Sequence, residues 1–202
     1  MAKRLKIQNV ERSLLQAIKA SHPSVVTHVS ATFGVSRQAV HRHLKKLIDR
    51  GWVAAKGSKR ATTYSLPTLV SHSAEVDLEG LDESQVWRRE ILPSIGSPPD
   101  NVMAICQHGF TEMLNNARDH SGSKKAKVLV GRNAFGIRLC VRDRGVGVFK
   151  KIQTECGLSE EREAIIELSK GKFTTDPSRH SGEGIFFTSR MFDRFDLSSH
   201  HL

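Results

Sequence analysis

The chain has 202 residues, a net charge of +10, 26% charged and 38% hydrophobic residues, which allows one large or two small domains. No apolar run approaches the ~18–20 residues of a membrane helix and no secretory leader opens the chain, so a soluble, cytoplasmic protein with no membrane partner is expected. Cys106, Cys140 and Cys156 are odd in number, far apart and without paired metal-ligand spacing, which fits reduced thiols rather than disulfides or a zinc site. The charge is unevenly placed. Residues 1–70 carry 13 Lys and Arg against 2 Asp and Glu, whereas residues 71–202 carry 18 against 19. An excess confined to one segment is the electrostatic footprint of polyanion binding.

In the N-terminal third, Val10, Leu14 and Ile18 form one helical stripe, and Val25, Val29 and Phe33 a second. Gly34 permits the positive φ of a tight turn and Ser36 is a good N-cap for a helix running to about Arg50. Val40, Leu44 and Leu47 would face inward, leaving Arg37, Gln38, His41, Arg42 and Lys45 on the opposite face, to which His43 is also assigned. Gly51 would end the helix. Residues 52–56 and 61–66 read as two short strands around a basic loop, Gly57-Ser58-Lys59-Arg60. The run GVSRQAVHRHLKKLIDRGWV resembles the recognition-helix region of bacterial winged-helix transcription regulators, over about residues 8–66. That resemblance implies DNA as partner. Gln38, His41 and Arg42 would reach base edges, while Lys45, Lys56, Lys59 and Arg60 would hold phosphates.

Residues 67–100 read as a connector that turns acidic, with a domain boundary at Pro67. A short strand is expected at Glu75–Glu79 and an acid-capped helix at Ser84–Leu92, broken by Pro93 and again by Ser97-Pro98-Pro99-Asp100.

Three motifs follow. From Asn101 to about His120, Val102, Ile105, Cys106, Phe110, Met113 and Ala117 recur at helical spacing, and Glu112 and Asn116 sit one turn apart beside them. A carboxamide oxygen such as that of Asn116 can ligate Mg²⁺, and a carboxylate such as that of Glu112 can orient or deprotonate a nucleophile. Residues 126–132 and 135–142 read as strands, the second ending at Asp143-Arg144-Gly145-Val146-Gly147. There a carboxylate can accept from an adenine amine while Gly145 and Gly147 let the backbone pass close to the base. Residues 148–181 read as a lid with one helix, about Ser159–Ser169, and with Lys172, Thr174, Thr175 and Arg179 as further phosphate contacts. Gly182 and Gly184 open an apolar helix, Ile185–Phe192, whose free N–H groups suit phosphate.

In this order the motifs resemble the ATPase superfamily of histidine kinases, gyrase B, Hsp90 and MutL, over about residues 100–195. The resemblance implies an α+β protein: a winged helix-turn-helix (1–66), then a two-layer α/β sandwich of Bergerat type (101–202) with helices on one face of a mixed sheet. It further implies MgATP held by Asn116, adenine read by Asp143, phosphates covered by the lid and Gly182–Gly184, and Glu112 as catalytic base. No phosphoacceptor His motif precedes the site, which argues against a sensor histidine kinase. The chain stops at FDRFDLSSHHL, where the superfamily lays down a further strand, so a sheet short of its C-terminal strand is expected, with a fragment and a shortened relative both open.

The functional expectation is a DNA-binding transcription regulator whose nucleotide state modulates DNA or partner binding. The alternative is a serine protein kinase resembling anti-sigma-factor kinases, targeted to a protein partner by its N-terminal domain. A pocket that has lost nucleotide binding is a third reading. A homodimer is expected by analogy with regulators that bind palindromes.

Overall fold

The computed structural model describes residues 2–58, 61–170 and 184–199. It divides into two compact units, Met1–Ser71 with Gly131–Arg138, and His72–Val130 with Leu139–Leu202.

In the first unit, α1 (Ala2–Lys19), α2 (Val25–Phe33) and α3 (Arg37–Asp49) enclose one core. Leu14, Val29, Val40 and Leu47 are fully buried, with Val10, Ile18, Val25 and Leu44 around them. The expected stripes are therefore the packed faces. α2 ends on Gly34, whose φ of 60° is left-handed and costs glycine little. Ser36 Oγ then accepts the N–H of Ala39 at 3.2 Å and caps α3. At the other end Gly51, φ 71°, turns the chain so that the Gly51 and Trp52 amides donate to Ile48 and Leu47 at 2.8 and 2.9 Å.

β1 (Ala54–Lys56) and β2 (Thr63–Ser65) pair antiparallel, Ala55 opposite Tyr64. Both are shorter than expected. The Trp52 and Val53 amides are spent on the Leu47 carbonyl, and the Val53 side chain is drawn into the core, so neither residue can join the ladder. Ala134 and Phe135 pack on the same core, and Lys19 Nζ lies 4.3 Å from the centre of the Phe135 ring.

β3 (Val70–Asp77) is longer than the expected strand and begins five residues earlier. Its polar alternation hid it, since only every second residue is even half-buried. It stands beside β4 (Lys125–Arg132), which neighbours β5 (Ile137–Asp143), in the order β3-β4-β5. Leu69 N–H donates to Arg132 O and Leu78 N–H to Lys124 O, so β3 and β4 run antiparallel. The tight turn closed by Asn133 N–H to Gly136 O makes β4 and β5 antiparallel too. The described residues thus form an antiparallel sheet rather than the mixed one implied by the resemblance. A parallel strand needs a further crossing segment, and residues 193–199 form no strand. Ala126, Val128 and Val130 are buried on one face of β4.

Asp82 Oδ1 accepts the Gln85 N–H at 3.0 Å and caps α4 (Glu83–Val86); this bond holds the Asp82 carboxyl below its usual range. The chain continues through a π-helical turn (Trp87–Ile91) into α5 (Leu92–Ile95). Pro93 therefore does not break the helix here, contrary to expectation. It sits in the first turn of α5, where its missing N–H forfeits little, and the wider π turn accommodates the ring.

α6 (Asp100–His120) buries Cys106, Gly109, Phe110, Leu114 and Ala117. Burial also pushes the Cys106 thiol pKa up, as suits a packed, unreactive cysteine. α7 (Val148–Cys156) and α8 (Glu163–Ser169) follow, then α9 (Gly184–Met191). The lid expectation held one helix. α7 is a second, because Phe149 and Ile152 pack on Ala164 of α8 with Leu158, Leu168 and Leu197 around them.

Candidate DNA-binding face and nucleotide site

The face of α3 away from the core is open. Arg37, Gln38, His41, Arg42 and Lys45 are all exposed, while Val40, Leu44 and Leu47 on the other side are buried. Lys56 of β1 is exposed as well. Lys59 and Arg60 lie outside the described residues. His43 departs from the expectation that it shares the open face. It is half-buried, and its Nδ1 lies 3.3 Å from Glu11 Oε1 of α1. Position explains this: His43 is at least about 100° around the helix from each of the five exposed residues.

In the second unit the three motifs converge in part. Glu112 and Asn116 lie on α6, both half-buried. A Cβ added at Gly184 would overlap the Glu112 carboxylate as it lies here, so the start of α9 abuts that side chain. Gly109 serves the same helix pair, lying against Thr188 and Phe192. Asp143 ends β5, and its Oδ1 accepts the Gly145 N–H at 2.8 Å. At Gly145 a Cβ would overlap the backbone of Ser121, while the Val146 N–H donates to the Ser121 carbonyl at 2.8 Å. The turn is thereby pinned to the end of α6. Gly147 has φ 80° and precedes α7. Lys172, Thr174, Thr175, Arg179 and Gly182 lie outside the described residues.

One observation bears on whether the residues present fit a nucleotide. Asn116 Nδ2 is buried with no hydrogen-bond partner among the described residues, a state that costs ~1–3 kcal/mol unless a ligand oxygen satisfies it. Among the described residues no three His, Cys, Asp or Glu cluster as metal ligands.

Two basic groups went unnoticed in the sequence. An open cavity of about 450 Å³ lies beside the Asp143–Gly147 turn, lined among others by His120, Ser121, Val146, Lys150 and Lys151. Lys151 Nζ is 3.2 Å from His120 Nδ1 and 3.8 Å from Glu155. His120 lies one turn beyond Asn116, which was the signal available. Lys151 became visible only once α7 formed. Neither Asn116 nor Asp143 lines this cavity, so it adjoins the motif residues rather than containing them.

The first unit is, by its fold and open basic helix, a winged helix-turn-helix. Residues 6–61 match the model of the MarR family, which supports this for the N-terminal domain. No curated protein matches the chain, and no solved structure does. Among the described residues no helix is long and apolar enough to cross a membrane.

Proposed function

We propose that the protein is a DNA-binding transcription regulator with an ATP-binding second domain, nucleotide occupancy modulating its hold on DNA. The observation that carries the DNA reading is the exposure of Arg37, Gln38, His41, Arg42 and Lys45 on the face of α3 opposite its core contacts. A helix so displayed fits the major groove, with Arg42 and Gln38 reading bases and Lys45 and Lys56 neutralising phosphates. The match of residues 6–61 to the MarR family supports the same reading, and by analogy with palindrome-binding regulators the proposal includes a homodimer. Selection of a duplex from a randomised pool by the intact chain tests it. Arg42→Ala should weaken the selected duplex by about 1–3 kcal/mol and relax sequence preference, whereas Lys45→Ala should weaken all duplexes alike and reduce the salt slope by about 1. Enrichment of no duplex would end the DNA reading.

The nucleotide reading is supported by the buried Asn116 Nδ2, which finds no hydrogen-bond partner among the described residues and could donate to a ligand oxygen, by the place of Asp143 at the end of β5, and by the approach of Gly184 to Glu112. Asn116 would hold Mg²⁺, which supplies charge neutralisation at the phosphates. Asp143 would accept from the adenine amine, Gly145 and Gly147 would shape that turn, and Lys172, Thr174, Gly182 and Gly184 would meet phosphate. Glu112, beside Gly184, favours one second reading: a serine protein kinase in which this carboxylate takes the proton of a partner's hydroxyl. Labelled γ-phosphate appearing on a partner protein would select the kinase; binding without transfer would select the regulator.

A further inference from the structure

Residues 1–70 contain two acidic residues, Glu11 and Asp49. In a surface that must approach phosphates, a carboxylate weakens binding through space. Glu11 nevertheless occupies the contact between α1 and α3, with its side chain 18% exposed. Its two oxygens divide between two groups of α3. Oε1 lies 3.3 Å from His43 Nδ1, and Oε2 accepts from Arg50 Nη1 at 3.4 Å. A carboxylate only accepts, so His43 Nδ1 carries the proton of that contact. His43 is mid-helix and Arg50 caps its C-terminus, so backbone positions about 10 Å apart along the axis send side chains that converge on one carboxylate. The Arg50 guanidinium also lies 5.5 Å from the centre of the Trp52 ring, at the entry to the wing.

Apolar contacts through Val40, Leu44 and Leu47 bury one side of α3 but are non-directional. Two ties to one carboxylate fix what such contacts do not: rotation about the axis and sliding along it. We propose that Glu11 is a positioning residue for DNA recognition, holding α3 from behind in the orientation that brings Gln38, His41 and Arg42 to base edges. This rests on the DNA-binding reading above.

The test turns on opposite signs. Loss of a negative charge alone would tighten binding to every duplex. Loss of positioning would weaken only the sequence-specific complex. With the intact 202-residue chain, binding of Glu11→Gln to a duplex selected by the wild type and to a scrambled duplex should be compared. The expected result is a roughly 3- to 10-fold loss on the selected duplex, with the scrambled duplex unchanged or tighter, at an unaltered melting temperature. His43→Ala, which removes one tie and leaves the Glu11 charge in place, should lower the selected-to-scrambled ratio in the same direction and serves if Glu11→Gln folds poorly. An equal change on both duplexes in the folded variant would overturn the proposal. A wild-type chain that enriches no duplex would overturn the DNA-binding reading, and this proposal with it.

Discussion

At Gly145 the backbone has no room for a side chain, because a Cβ would meet the Ser121 carbonyl at the end of α6. The turn after Asp143 is held in place by this contact and by the Val146 N–H to Ser121 O bond. Gly145→Ala is expected to destabilise the protein by about 1–3 kcal/mol in a denaturant melt; an unchanged midpoint would mean that the turn moves aside freely. Asn116 is a different kind of residue. Its buried Nδ2 finds no hydrogen-bond partner among the described residues, a cost to the folded chain. The sequence shows both residues as motif members. It does not show that Gly145 is fixed by Ser121, since the two are 24 positions apart and only the fold brings them together.

The helices of the first unit were legible in advance because each carries a one-sided apolar stripe between strong end signals: Gly34, Ser36 and Gly51. Less was legible where tertiary contacts override local signals. The wing strands lost residues 52 and 53 to the C-terminus of α3, and Pro93 was absorbed by a π turn instead of ending a helix. His43 reads as one more cation on a basic helix until Glu11, 32 residues away, is seen beside it. α7 was hidden by the glycines before it, though Phe149 and Ile152 are spaced as one helix face. Its packing on α8 limits the lid idea: residues 148–156 form a seated helix with a buried core contact. Ile152→Ala should accordingly cost about 2–5 kcal/mol of stability, a core effect. A change below about 0.5 kcal/mol would mean that α7 contributes nothing to the packed unit.

Over the whole molecule, the basic excess belongs to residues 1–70 and the near-neutral remainder carries the motif residues of the proposed nucleotide site. Charge of this distribution favours a polyanion at the basic unit. If nucleotide binding changes DNA affinity by some factor, DNA must change nucleotide affinity by the same factor, so the coupling can be measured from either side. The most direct measurement is titration of the selected duplex into the intact chain with no nucleotide, with ATP alone and with ATP plus Mg²⁺, beside Asn116→Ala. The expected result is a shift of about 5-fold or more in DNA affinity for the wild type that requires Mg²⁺ and is absent in Asn116→Ala. Superimposable DNA curves for the wild type under all three conditions would contradict the proposed regulation.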